Sequence, residues 1–518
     1  MITVSNAWKD VQQRFLLPET FVEIDCTITD ADAQESATIT GENEAVFSNT
    51  ASVLYDTAKT VKYATNELNL WALDGSLVIT PNSAPYADAG YASNTDAQGS
   101  VVVRLPAVHS NPTSGVTITW SSRYDEYPSE FTITARNGNN IVLERNVTGN
   151  TSQTTAIFEQ LQNYDSLTVT VRNWDLPYRR VRIEKVVMGY VMTFTKKDIF
   201  NFTHEQNGHL NSGALPKNSI DFTLDNTDGK WNPSNSSGLE QYLSERQKLR
   251  VRYGLDINGT TEWIKAGTFY LSEWRVPSNG LEASFVARDI FEYLLNETYT
   301  GRLTGTLYEL VNDAFKSAGV PDDFVYDINE ILGNYSATLP EGEHKCAEVL
   351  QMCANAAKCV CYQDREGILH IAPLDTTLKD YMITSALSYS HPEVELSKPL
   401  KNVSVTYGDN QVFTFAQPLA QSGEVQTVSN PLVTTEAQAS GIANWLVDTL
   451  KARQIVRGEY RADPRLDVFD VVTVESSKYG TLAPVAITDI KYTYTGSFKA
   501  TYTGRILGGN SNARAYNG

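Results

Sequence analysis

Little in this chain equips it for covalent chemistry. Its 518 residues include only six histidines and five cysteines. No G-x-S-x-G elbow, P-loop or Rossmann fingerprint occurs, which removes the usual signatures of acyl transfer and of nucleotide and dinucleotide binding. No apolar run approaches the roughly 18–20 residues of a membrane span. The opening MITVSNAWKDVQQRF has neither the basic start nor the apolar stretch of a signal peptide, so a chain made and kept in a cytoplasm is expected. Positive charge is scarce as well. Against 61 carboxylates stand 42 Lys and Arg, a net charge of −19. Nucleic-acid binders usually carry a basic patch, and the densest one here is Arg179, Arg180 and Arg182, which equally reads as the solvated end of the VRIEKVV strand. Sequence-specific nucleic-acid binding is not expected.

The few reactive residues fit no standard site. An odd cysteine count argues against a secreted disulfide framework. Cys346, Cys353, Cys359 and Cys361 have the spacing C-x6-C-x5-C-x-C, which matches no zinc pattern and favours buried thiols acting as small hydrophobes. His204 and His209 superficially suggest a metalloprotease helix. Their i+5 spacing, however, puts them roughly 140° apart on a helix, and Gly208 disfavours helix there. The Asp225–Pro233 stretch, DNTDGKWNP, hints at calcium. Counting back from Gly229 places Leu224 at the first position and Asn235, not Glu, at the twelfth, so a plain turn is expected. Neither a metal, a cofactor nor catalysis is expected, although paired carboxylates for glycoside cleavage are not singled out or removed by sequence.

What the chain does have is β-structure in abundance. It is 41% hydrophobic and 20% charged, and long enough for three or four cores. Residues 1–190 read as many short strands divided by turns: Phe21–Asp25, Ser76–Thr80, Val101–Leu105, Val116–Trp120, Phe131–Thr134, Ile141–Leu143, Leu167–Val171 and Val181–Val187. Such punctuation predicts a β-sandwich. Its aromatics and their polar neighbours form the best ligand candidate. Trp120, Arg123, Tyr124, Asp125, Tyr127, Trp174, Asp175 and Tyr178 cluster at strand ends and in loops. Exposed rings there would stack on sugar while the charged groups bond hydroxyls. The competing reading makes Trp120 and Trp174 core residues.

Residues 191–297 form a second β-rich unit, marked by the strict alternation Ile220-Asp221-Phe222-Thr223-Leu224. Residues 298–400 carry helices. Thr306 and Glu309 make a capping box, and Leu307, Leu310, Val311, Ala314, Phe315 and Ala318 form one apolar stripe that stops at Gly319. Next, Ala347–Leu374 runs helix, hairpin and strand in succession, with a charged turn at Asp364–Gly367. Residues 401–507 return to strands, interrupted by one helix after Thr435 that carries Ile442, Trp445, Leu446 and Leu450. Residues 508–518 read as a flexible tail.

Several of these stretches resemble known families. Trp120-Ser-Ser, Phe131-Thr-Ile and Arg182-Ile183-x-x-Val186-x-x-Gly189 look like a galactose-binding-like jelly roll, often a carbohydrate-binding module. The Ile220–Leu224 strand, the D-N-x-D-G turn and Gly267-Thr-Phe-Tyr270 resemble the tube-forming domain of phage distal-tail and hub proteins. The Ala347–Leu374 order matches the central domain of baseplate hubs, and Asp463-Pro464-x-Leu466-x-Val468-x-Asp470-Val471-Val472 resembles the strand entering a second tube domain. The resemblance covers about 190–505. It implies a mainly β, multidomain chain with two tube-type β-barrel domains flanking an α+β domain.

The function this implies is structural: a hub ring around a phage or prophage-derived tail channel, trimer favoured. Its partners would be distal-tail and tube proteins, a tape-measure protein and tail fibre or receptor-binding proteins. The jelly roll would dock host-surface saccharide or another baseplate component. The chain would be assembled in the bacterial cytoplasm and end in the virion, and its acidic surface suits a channel through which nucleic acid must pass without sticking. The alternatives are a distal-tail ring protein carrying a carbohydrate-binding adhesin domain and a cell-wall-degrading tail enzyme. No appended lysozyme or peptidase domain supports the latter.

Overall fold

The computed structural model describes residues 1–507 except 15–17, 46–47, 55–61, 64–76, 79–89, 97, 111–112, 122–125, 158, 233–234, 236–239, 241–242, 244, 278–279, 321–323, 416–422, 451–452, 477–479 and 483. The expected tail, 508–518, and much of the expected Ser76–Thr80 strand therefore lie outside the described residues. The chain folds as two units. One is Cys26–Met192. The other is discontinuous, Met1–Asp25 with Thr193–Gly518. Residues 1–25 thus belong with the larger unit, which corrects the start of the first module from residue 1 to residue 26. The cause is visible in their bonds: the Ile2 N–H donates to Arg465 O, and the Arg461 guanidinium donates to the carbonyls of Gln12 and Arg14.

The smaller unit is a sandwich of β-layers. Thr38–Glu42, Gly99–His109, Tyr164–Trp174, Pro128–Asn137 and Asn140–Thr148 form one antiparallel sheet in that spatial order. Opposite it, Val116–Thr119 pairs with Thr154–Ile157 on one side and with residues 185–188 on the other. Inward residues of both layers, including Val101, Val103, Ile133 and Val169 against Ile118, Val186 and Met188, share one core.

In the larger unit, alternation decides the sheet. Ile220, Phe222 and Leu224 are buried while Asp221 between them is exposed. Strands Lys248–Ile257, Thr260–Arg275, Glu282–Arg288, Lys217–Asp225 and Ile199–Asn207 lie side by side. The sheet then continues directly into Val485–Tyr494, Phe498–Ile506, Gln454–Tyr460 and Glu393–Leu396.

Helices Leu307–Ala318, Cys346–Ala356 and Glu436–Leu450 gather in a separate core with small sheets around them. The first is closed at both ends as its sequence requires. Both halves of the Thr306/Glu309 capping box form, and Gly319 at φ 61° accepts the left-handed C-cap. All four clustered cysteines are in this core. Burial pushes the Cys359 thiol up to about 12 and raises those of Cys346, Cys353 and Cys361, so they pack as protonated apolar groups.

Two expectations need correction here. The division at 400/401 does not follow the cores. Val403, Val405, Leu432, Ile442 and Leu446 pack with Leu310, Leu350 and Cys353, and the Asn430 side chain donates to Met352 O and Asn355 Oδ1. Residues 400–415 and 423–450 therefore join the helical core, and the second group of sheet strands is drawn from 393–396 and 454–506. Nor is Asp463–Val472 a strand throughout. Its first eight residues are a buried loop, and Val471–Ser476 is the strand.

Candidate functional site

The loop end of the smaller unit was the expected sugar site, and its tryptophans are not available for it. Trp120 is fully covered and Trp174 only 3% exposed. Their rings meet edge to face at 6.4 Å, and Trp120 also abuts Phe131 at 4.9 Å. Each indole N–H is satisfied internally: Trp120 Nε1 donates to Thr155 Oγ1 and Trp174 Nε1 to Glu126 Oε2, both at 3.0 Å. Large rings at strand ends serve the core best when their one polar atom finds a partner inside, and here both do.

The remaining candidates are scattered. Arg123, Tyr124 and Asp125 lie outside the described residues. Tyr127 is half-buried, and its carbonyl accepts the Asp175 N–H at 3.0 Å. Asp175 keeps a covered Oδ1 that no hydrogen bond from the described residues reaches. Among the described candidates Tyr178 offers the most open ring, 87% exposed and held at φ 61°, a strained setting for a tyrosine. Glu126, which sequence reasoning missed, joins Trp174 to Arg179. Only 3% exposed, it accepts from Trp174 and pairs with Arg179 Nε at 3.1 Å. No spacing signal singled it out.

The larger unit holds a more developed arrangement. Ile199–Asn207 and Val485–Tyr494 form an antiparallel seam from Phe202↔Tyr494 to Asn207↔Asp489. Because strand side chains alternate in direction, each seam strand turns one set of residues into the core and another onto a polar face. Register aligns the polar set in cross-strand rows. One row reads Glu205, Lys491, Thr501 and Glu459. The next reads Lys217, Asn207, Asp489, Thr503, Arg457 and Glu393. A groove of about 830 Å³ opens among these residues. Glu205 bridges the seam, with Lys217 Nζ at 2.6 Å and Lys491 Nζ at 2.8 Å. These two bonds hold its carboxyl down at about 2.

Behind the seam lies a buried polar cluster. His204, fully covered, donates from Nε2 to Asn218 Oδ1 at 2.8 Å and shares a 2.7 Å bond with the Tyr253 hydroxyl. Burial, with Arg365 adding to it, pushes its pKa down to about 3, so the imidazole is neutral and structural. His209 is separated from it by the end of the strand. Gly208 is there for space, since a Cβ would stand 2.5 Å from Phe469 Cζ.

Arg365 reaches into this cluster from the charged turn of the 360–372 hairpin. Its guanidinium, 3% exposed, donates to Pro464 O and to Leu466 O, lies 3.5 Å from Asp467, and sits over Tyr253 and Tyr492 at 5.8 and 5.5 Å. Burial opposes its charge, but Asp467 and the tyrosine oxygens hold it in place. The Tyr492 hydroxyl donates to the same Leu466 carbonyl at 2.6 Å, and Gln206 Nε2 donates to Asp467 at 2.6 Å. One side chain thus ties the hairpin to the loop around Leu466 and to Tyr492 of one seam strand, while Gln206 of the other reaches it through Asp467. Among the described residues no helix is long and apolar enough to cross a membrane.

Comparison with known proteins adds a structural likeness. No family model matches the chain, and no curated protein matches it. Among solved structures it is similar to the 43 kDa tail protein of prophage MuSo2 from Shewanella oneidensis. Identity there is 13% and TM-score 0.43, over 61% of this chain and 95% of that one. The tail protein from Neisseria meningitidis MC58 gives 13% and 0.43, over 61% and 94%. The prophage tail protein gp18 from Listeria monocytogenes EGD-e gives 13% and 0.40, over 61% and 91%.

Proposed function

We propose that this chain is a structural subunit of a phage or prophage-derived tail tip, in which three copies close a hub ring around the tail channel. The observation that carries this reading is the seam. Two groups of strands, 199–288 and 393–506, merge through Ile199–Asn207 and Val485–Tyr494 into one continuous wall. The wall ends on Glu393–Leu396, which among the described residues pairs on one side only. An open edge is a liability unless something covers it, and identical chains meeting edge to edge close into a cyclic ring.

In this reading residues 191–297 are the first tube-type domain, and 393–396 with 454–506 form the second. The helical core is the α+β domain. Partners are the distal-tail and tube proteins, a tape-measure protein, and tail fibre or receptor-binding proteins. The inserted module docks a baseplate component or a host-surface saccharide, and Tyr178 is the ring with which to test the latter. The chain ends in the virion after assembly in the host cytoplasm and performs no catalysis. The rival, a distal-tail ring with an adhesin domain, needs only one group of wall strands, whereas this chain builds two.

Replacing Val394 by Pro removes an N–H from the edge strand. The proposal expects V394P to stay folded and monomeric under conditions where wild type forms rings. Rings of V394P indistinguishable from wild type would remove the edge from the account.

A further inference from the structure

The polar face of the wall has an unusual charge arrangement. Its groove residues include three cations, Lys217, Lys491 and Arg457, and four carboxylates, Glu205, Glu393, Glu459 and Asp489. Each cation is already engaged. Glu205 takes both lysines, one from either side of its own strand, and Arg457 is bonded to Glu395 on the edge strand. The lysines are still about half exposed, 58% for Lys217 and 46% for Lys491, so a phosphate could reach them were Glu205 absent. The other carboxylates add negative charge around the pair. Asp489 accepts from Asn207 across the seam, and the exposed Glu459 lies in the same row as Glu205.

We propose that Glu205 is a charge mask: by engaging Lys217 and Lys491 together, it leaves neither lysine of this groove free to hold a nucleic-acid phosphate, so that a polyanion moves along the groove without adhering. This rests on the channel-wall reading for its purpose, but its chemistry is local. Phosphate binding by lysine is driven by release of condensed counterions. A lysine already neutralised by a carboxylate at hydrogen-bond distance must give up that bond before it can release any. One glutamate suffices for two lysines because Lys491 is its direct cross-strand partner and Lys217 its diagonal one.

The test uses the full chain, a fluorescently labelled short DNA duplex and anisotropy titrations at several salt concentrations. Wild type is expected to show only weak binding. Glu205→Gln is expected to bind more tightly, with a log K against log salt slope steeper by about 1.8, or about 0.9 for each of the two freed lysines. Adding Lys217→Gln and Lys491→Gln to that variant is expected to return the wild-type curve. Glu205→Asp, too short to hold both lysines, is expected to fall between, which keeps the test valid should the Gln variant fold poorly. An unchanged affinity and slope in folded Glu205→Gln overturns the mask, and so does wild-type binding that Lys217→Gln weakens. Light scattering of each variant separates the two readings. A gain in affinity without ring formation supports the mask and sinks the ring, whereas rings with no gain do the reverse.

Discussion

Replacing Arg365 by alanine should loosen the contact between the 360–372 hairpin and the two halves of the wall. Arg365 is almost completely buried and serves two backbone carbonyls and one carboxylate. Its removal leaves Pro464 O and Asp467 without that partner in a covered site, while Leu466 O keeps only the Tyr492 hydroxyl. Breaking a buried ionic contact by deleting one member costs about 3–5 kcal/mol. At about 1.4 kcal/mol per factor of ten, this is roughly 10²- to 10³-fold or more in a local opening equilibrium. Hydrogen exchange reads that equilibrium at a defined place. The Phe469 amide donates to Ile487 O at 2.8 Å and the Ile487 amide to Asp470 O at 2.9 Å, pinning the 463–470 loop to the seam strand. Both amides should exchange faster by that factor in Arg365→Ala. Arg365→Lys should recover only part of the loss, because an ammonium lacks the planar fork that meets two carbonyls at once. Arg457→Ala is the control. Its pair with Glu395 is half exposed, and such pairs are worth about 0–1 kcal/mol. An Arg365→Ala protein whose two amides exchange within about fivefold of wild type, the equivalent of about 1 kcal/mol, would refute the reasoning.

Three further outcomes are expected. Trp120→Ala should destabilise the Cys26–Met192 unit by about 3–5 kcal/mol, seen as a lowered melting transition; a loss below about 1 kcal/mol would mean the ring is not a core pillar. His370 is bonded by Asp364 at 2.9 Å and lies 3.4 Å from Asp327, which together raise its pKa above 6.5. Its contribution is therefore fully present below pH 6.5 and lost as pH rises through the higher folded value, and His370→Asn should abolish that slope in stability against pH. Asp289 is buried, with Oδ1 accepting from the Phe291 N–H and Oδ2 without a hydrogen bond among the described residues, and burial pushes its pKa up to about 8. The folded state then holds a proton the unfolded state has released between pH 3.8 and 8. Stability should fall across that window, and Asp289→Asn, which mimics the protonated form, should flatten the fall.

Where local chemistry decides the structure, the sequence alone makes it legible. The capping box at Thr306 and the apolar stripe from Leu307 to Ala318 depend on neighbours within one or two turns, and they formed as read. The Ile220–Leu224 alternation needed only a core on one side. What escaped depends on partners far along the chain. Asp463–Val472 alternates like a strand, yet Arg365 and Tyr492 from distant elements claim its carbonyls and hold it as a loop. Arg365 itself looked like one more charge in a solvated turn. Trp120 and Trp174 carried the same composition whether they faced sugar or core, and only Thr155 and Glu126 decided between them. The 400/401 division failed because the helix after Thr435 buries its apolar face against residues that precede and follow the intervening strands.

Closure of this wall on copies of itself is read from absolute mass by light scattering, with negative-stain images of the same peak. A hub ring gives three chains in a closed ring with a central opening, lost in Val394→Pro. A strict monomer at high concentration would contradict it.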